Sequence, residues 1–415
     1  MTEGSPTNPH ASSRTSFRVL CVGSFHSWLE LARISNLPTV LSNAIAGATI
    51  GSCAYAIEHA SVRGIVHWFG GFESHPGPDG PVDPFSTPLG AVRFLTPLAI
   101  PMLAYVGGMI LNDAFDAEID ARERPARPIP SGRVGRRIAF AVGFALLAAS
   151  IALAFVTSTG VSVVIATALL AAAIVIYDRF HTKSIASTLL LALCRALASL
   201  IPMLAFARGE FTTLVTRGAI LLPIALAAWT LGLSLLARNE IALRDDDAQF
   251  ARDTEAPHPC PACGQLMVGG FASCGECGHR SSEPERRIIE RERRALRHRW
   301  RALIPFGAVA ALLTAFFLGK AALLHRDRDL GYTDVSANPG AAIIIAIFLA
   351  FTALRATRIL RHEPARTPDA IGMLIACLAL VDAMALATGG HWLAALVCAV
   401  LFGITRRWQR VIAGS

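Results

Sequence analysis

Apolar residues in this chain gather into long runs, each near the roughly 20 residues that a helix needs to cross a hydrocarbon core about 30 Å thick. Such runs lie near Pro38 to Ile57, Phe94 to Asn112, Ile138 to Val156, Val161 to Tyr177, Ile185 to Phe206, Ala219 to Ala237, Leu303 to Leu324, Ala341 to Leu360, Ala370 to Ala387 and His391 to Ile404. The last is short and follows a tight break at Gly389 and Gly390, so the pattern predicts nine or ten transmembrane helices, the lower count leaving a terminal hairpin or re-entrant piece. The predicted fold class is therefore an all-α polytopic membrane protein. Four segments follow from the same pattern: a polar tail over 1–30, helices one to six over 31–250, a cysteine-bearing insertion and charged helix over 251–301, and C-terminal transmembrane helices over 302–415. Met1 to Phe17 is rich in Ser, Thr and Pro with no cleavable apolar segment after it, and reads as a disordered tail. The Gly- and Pro-rich stretch from Glu58 to Pro88 reads as an external interfacial loop.

Composition agrees with the runs: 53% of residues are hydrophobic and only 16% charged, with a mean hydropathy of +0.49. That profile excludes an ordinary soluble domain. Arginine then orients the spans. Arg14, Arg18 and Arg33, Arg122 to Arg137, Arg179 and Lys183, Arg238 to Arg301, Arg355 to Arg366, and Arg406 to Arg410 fall on one side of a ten-span arrangement. By the positive-inside rule that side is cytoplasmic, with both termini, and the setting read is a bacterial cell membrane. The net charge of +8 faces anionic lipid headgroups and argues against nucleic acid as a partner.

The chemistry concentrates in Leu111 to Val134, LNDAFDAEIDARERPARPIPSGRV. On a helix Asn112, Asp116 and Asp120 fall at i, i+4 and i+8 and share one face, with Asp113 at its edge. Oxygen donors of this kind suit Mg²⁺, which bridges a few carboxylates to substrate phosphates. Arg122, Arg124, Arg127 and Arg133 follow among Pro125, Pro128, Pro130 and Gly132, which break the helix. Guanidinium groups on such a stiff loop make a diphosphate clamp. The order Asn112, Asp113, Asp116, Asp120, then Arg127, Pro128, Ser131, Gly132 resembles the first Asp-rich motif of the UbiA superfamily of intramembrane prenyltransferases. The resemblance implies a helical bundle around a cytoplasm-facing cavity.

It also implies roles for other residues. Asn43, within RISNLPTVLSNAIAG, would point into the cavity; the residues alone equally allow a helix-to-helix hydrogen bond beside small residues Ala44, Ala46 and Gly47. Lys183, and Arg179 with it, would face the diphosphate, or Lys183 would snorkel as a topology anchor. Arg195 sits inside an apolar run, where an ionisable group marks function and calls for an acidic partner. A second Asp-rich motif is expected in LSLLARNEIALRDDDAQF: Ala237 and Glu240 fit its opening, but Arg244 stands where the next acid belongs, followed by Asp245, Asp246 and Asp247. Either Glu240 and Asp247 hold a second Mg²⁺, or Arg238 and Arg244 replace its charge.

Cys260-Pro-Ala-Cys263-Gly and Cys274-Gly-Glu-Cys277-Gly form two C-x-x-C-G knuckles ten residues apart. Four thiolates so spaced give a closed structural Zn²⁺ site of zinc-ribbon type. The charged stretch that follows, EPERRIIERERRALRHRW, interleaves Glu with Arg and reads as a membrane-surface helix. The ribbon either caps the cavity or docks a cytoplasmic protein partner.

The resemblance thus implies Mg²⁺-dependent transfer of a prenyl group from an isoprenoid diphosphate to an aromatic or other small acceptor within the bilayer. Catalytic residues are Asn112, Asp113, Asp116, Asp120 and Glu240; Asn43, Arg124, Arg127, Lys183, Arg195, Arg238 and Arg244 bind substrate. The alternative is a non-catalytic membrane scaffold or lipid-phosphate carrier that recruits a cytoplasmic partner through the zinc ribbon. Asp382, in LVDAMALA, is a polar contact within the bundle or near its external end.

Overall fold

The structure, a computed structural model, describes residues 24–59, 88–157, 160–180, 185–255, 258–260, 262–267, 276–278, 339–362 and 366–411. A short helix α1 (Phe25–Leu31), capped by the Ser24 side chain on the Ser27 amide, leads through Arg33 and a 3₁₀ turn (Ile34–Asn36) into α2 (Leu37–His59). Then come α3 (Pro88–Phe115), the short α4 (Ala117–Glu123), α5 (Arg136–Thr157), α6 (Val161–Phe180), α7 (Ile185–Phe206), the short α8 (Phe211–Thr216) and α9 (Leu221–Glu255). After the insertion follow α10 (Pro339–His362), α11 (Thr367–Thr388) and α12 (Trp392–Val411).

Among the described residues eight helices are long and apolar enough to cross a membrane, and the chain is a multi-pass membrane protein. The expected span Leu303–Leu324 lies outside the described residues, as do nearly all of the tail, most of the Glu58 to Pro88 loop and the charged stretch 282–301. The short last run becomes a full 20-residue helix, α12, whose second half carries Arg406, Arg407 and Arg410; it is not one of the eight. Large apolar side chains left exposed on the outer helices, among them Phe155, Val161, Ile165, Leu169, Ile344, Phe351 and Leu354, form the face that lipid would cover. α11 is the most enclosed: 78% of its apolar stretch is buried, against 28% for α5 and for α10, which makes it an interior helix.

Two close crossings fix the bundle. On α2, Gly47 and Gly51 lie one turn apart, and a Cβ on either would collide with the backbone carbonyl of Ser199 or Met203 on α7. This is the small-xxx-small contact that lets membrane helices approach when no hydrophobic force separates protein from lipid. Gly107 of α3 meets Gly143 of α5 in the same manner.

Contacts sort the loops into two ends. Gln409 donates to Asn36 (2.9 Å), Arg136 to the Ala114 carbonyl (2.9 Å), Arg238 to Thr188 (2.9 Å) and Arg406 to Asp369 (2.7 Å) at one end. At the other, Arg217 pairs with Glu58 (2.8 Å) and Arg208 lies over Tyr55. This sorting follows the division of arginines in the sequence. α9 is about 52 Å long at 1.5 Å per residue, so it projects well past its apolar stretch, Leu221–Arg238. The only strands among the described residues are two antiparallel residues each, β1 (His258–Pro259) and β2 (Leu266–Met267).

Candidate active site

The first acidic stretch is helical but broken once. α3 ends at Phe115, α4 begins at Ala117, and Asp116 between them has φ −81° and ψ 0°. The single unbroken helix expected for Asn112, Asp116 and Asp120 is therefore corrected to two. Their register survives, because the Asp116 amide still donates to the Asn112 carbonyl (3.0 Å) and the Asp120 amide to that of Asp116 (2.9 Å). α4 ends at Arg124, and the arginine loop closes on itself through Val134 donating to Pro128 (3.0 Å).

Arginines hold the acids in place. Arg127 Nη1 lies 2.6 Å from Asp120 Oδ2 and 3.2 Å from Asp113 Oδ1. Arg33 Nη2 reaches the same Asp113 oxygen at 3.2 Å. Asp113 and Asp120 are both buried, so the two guanidinium groups supply the opposite charge that such carboxylates require. Arg33 itself has φ 44° and ψ 50°, a left-handed conformation that costs a non-glycine residue about 1–3 kcal/mol and is tolerated mainly where a site requires it. Its carbonyl accepts from the Tyr105 hydroxyl (3.3 Å). At the outer edge Arg136 donates to Glu118 (2.8 Å), and its charge holds that exposed carboxyl below the ordinary range. Arg133 bridges Glu30 (3.0 Å) and the Ala126 carbonyl (2.7 Å), while Arg124 is exposed.

α6 continues through Phe180, so Tyr177 and Asp178 are helical and not part of the loop expected after the fourth run. Asp178 is buried. Its Oδ1 accepts from Asn112 Nδ2 (3.3 Å), whereas its Oδ2 is enclosed without a hydrogen-bond partner. Asp178 lies within electrostatic reach of Asp116 and Asp113. Spending the Asn112 amide nitrogen on Asp178 leaves its amide oxygen as the atom for a ligand. Hard oxygen donors around Asn112, Asp116 and Asp178 fit a divalent cation such as Mg²⁺, and a buried carboxylate oxygen with no donor is what a cation would satisfy.

A second polar cluster lies inside the bundle. Arg195 of α7 donates to Asn43 Oδ1 (2.9 Å), Asn43 Nδ2 donates to Asp382 Oδ2 on α11 (2.6 Å), and Ser42 donates to the same oxygen (2.7 Å). Asn43 and Asp382 are fully buried, so Asn43 joins three helices, and Arg195 finds its acidic partner one amide away. Asp382 makes its polar contact within the bundle. Arg238 reaches Thr188. Lys183 lies outside the described residues; Glu240, Arg244 and Asp247 ride on the projecting part of α9, their side chains outside the description. Cys274 is likewise outside it, while the sulfurs of Cys260, Cys263 and Cys277 lie within 4.8 Å of one another.

Residues 77–256 match the model of the UbiA prenyltransferase family. The match covers 180 of the chain's 415 residues. The matched segment contains both acidic stretches, the arginine loop and Asp178. Among similar proteins, digeranylgeranylglyceryl phosphate synthase of Korarchaeum cryptofilum is 46% identical over 61 residues, 15% of this chain and 22% of the relative. The Thermococcus gammatolerans protein of the same name is 41% identical over 73 residues, 18% and 26% respectively. The matches thus span about a fifth to a quarter of these relatives. A solved structure from work on digeranylgeranylglyceryl phosphate synthase in membranes shares 16% identity at a TM-score of 0.48, covering 88% of this chain and 98% of that one.

Sequence reading reached the UbiA motif residues but missed two that the fold brings to them. Arg33 counted only as a topology charge; its place a few residues before the first apolar run was the available signal. Asp178 fell just past the fourth apolar run; an acid closing such a run was its signal.

Proposed function

We propose that this UbiA-family chain transfers a prenyl group from an isoprenoid diphosphate to an acceptor inside the membrane. The observation that carries the reading is the convergence of Asp113 and Asp120 with Arg33 and Arg127, beside Asn112 and Asp116 on the same helical stretch, at one end of an apolar helical bundle. Asn112, Asp116 and Asp120 would hold Mg²⁺, with Glu240 and Asp247 of α9 as the second acidic pair. Bound Mg²⁺ would neutralise charge growing on the departing pyrophosphate. Arg127 and Arg33 supply fixed positive charge beside the same oxygens. The enclosing apolar helices exclude water from the allylic carbocation until the acceptor attacks. Arg195 and Arg238 would add positive charge near the site, and Lys183, outside the described residues, is proposed for the same role from the sequence. The names of the relatives support including a prenylated glyceryl phosphate, beside aromatic acceptors, in the assay.

In this reading the motif end is cytoplasmic, which the clustering of arginines there supports. α9 reaches that end and α10 leaves from the opposite one, which supports reading Leu303–Leu324 as a further crossing. The three converging cysteines and the β1–β2 pairing support a Zn²⁺ ribbon, with Cys274 as its fourth ligand by spacing; a ribbon following the projecting end of α9 in the chain suits docking of a cytoplasmic protein. Metal analysis of purified, reduced protein is expected to return one zinc per chain, and its absence would remove the ribbon. The transfer reading itself is tested by Mg²⁺-dependent release of pyrophosphate from an allylic diphosphate.

A further inference from the structure

Asn112, Asp116 and Asp120 were expected to share a cation with Asp113 at the edge of their face, but the fold gives these groups different partners. Asp120 is committed to Arg127 at 2.6 Å, and Asp113 is shared between Arg33 and Arg127, both at 3.2 Å. Asn112 faces another way, toward α6, where its amide nitrogen donates to Asp178. Asp178 is only 3% exposed, yet Oδ2 has no donor. A carboxylate oxygen buried without a donor is costly, and a buried acid is retained when a cation or a specific donor completes it. The charges within electrostatic reach of Asp178 are two more acids, Asp116 and Asp113, and one cation, Arg33, which is itself paired with Asp113. Gathering like charges in a low-dielectric bundle adds to the cost, and a divalent cation offsets it.

We propose that Asp178 is a further ligand of the divalent cation held at the first acidic motif, entering from α6 beside Asn112 and Asp116. The inference rests on the reading of this site as a cation and diphosphate site, and it goes beyond it: the ligand comes from a helix outside the motif. It assigns α6 a structural part in metal binding, so that the ion ties α6 to the α3–α4 junction. Mg²⁺ favours this mixture of few protein oxygens with open positions for water and phosphate. Asn112 then has two tasks, its nitrogen fixed on Asp178 and its oxygen turned to the ion.

The test uses the full-length protein in detergent, with Mn²⁺ as the probe, followed by electron paramagnetic resonance with and without inorganic pyrophosphate. Asp178→Asn keeps an acceptor for the Asn112 amide while removing the charge. It is expected to weaken Mn²⁺ binding tenfold or more with an unchanged elution profile, while Asp178→Glu retains binding within about threefold of wild type, since loss of a ligand or its close support typically costs about 10–100-fold in affinity. Wild-type affinity in Asp178→Asn overturns the proposal and leaves the site reading standing. Absence of Mn²⁺ binding in the wild type, with pyrophosphate present, overturns the site reading and the proposal together.

Discussion

Arg33 shows how much of the site is set by one residue's backbone. Its left-handed φ of 44° aims the guanidinium at Asp113 and the carbonyl at Tyr105. Glycine adopts that conformation at no steric cost. In Arg33→Gly the relief of strain offsets only part of the cost of leaving the buried Asp113 with Arg127 alone, so thermal stability is expected to fall by roughly 1–3 kcal/mol, while turnover of an allylic diphosphate falls tenfold or more. Thermal melts and steady-state rates on the same preparation check this; equal turnover would show that Arg33 only shapes the turn. The order of acids and arginines in 111–134 made most of this site legible, because helical spacing and proline breaks are local properties. Arg33 and Asp178 were not legible, because they lie 80 and 66 residues from their partners Asp113 and Asn112 and only packing brings them there. Asn43 illustrates an ambiguity that packing settles geometrically: it is enclosed between Arg195 and Asp382, joining α2, α7 and α11.

At the scale of the helices, apolar run length predicted the spans well, since the thickness of the bilayer dictates it. The ends were less accurate: α6 extends past Tyr177 to Phe180, and α12 continues from Ile404 to Val411, both through charged turns that hydropathy alone would cut. Small residues in the first run hinted at a close crossing, and the structure places it at Gly47 and Gly51 against α7. Gly51→Val puts two methyl groups where the Met203 carbonyl stands. It is expected to destabilise the bundle by roughly 1–3 kcal/mol, seen as a lower melting temperature in detergent, while the same change at the open Gly403 is expected to have little effect. Melting temperatures that agree for the two variants would mean that the α2–α7 crossing is not a tight one.

Across the whole molecule, the acidic motif is connected to the C-terminal helix. A path of side chains runs from Arg406 through Gln409, Asn36 and Tyr105 to Arg33, and from there to Asp113, Arg127 and Asp120. The C-terminal helix, which lies beyond the matched segment 77–256, thereby supports the acidic motif at its base. Of the cysteine insertion beyond α9 only residues 258–260, 262–267 and 276–278 are described, and its knuckle spacing was a purely local signal. The central claim, that the converging acids and arginines bind and ionise an isoprenoid diphosphate, is tested most directly by pyrophosphate release. Purified wild-type protein is given geranylgeranyl diphosphate with a prenylated glyceryl phosphate or aromatic acceptors, with Mg²⁺ or with chelator, beside Asp116→Ala. The account predicts release that requires Mg²⁺ and falls 100-fold or more, about 2.7 kcal/mol of transition-state stabilisation, in Asp116→Ala; wild-type release no greater than that of the variant, across all acceptors, would contradict it.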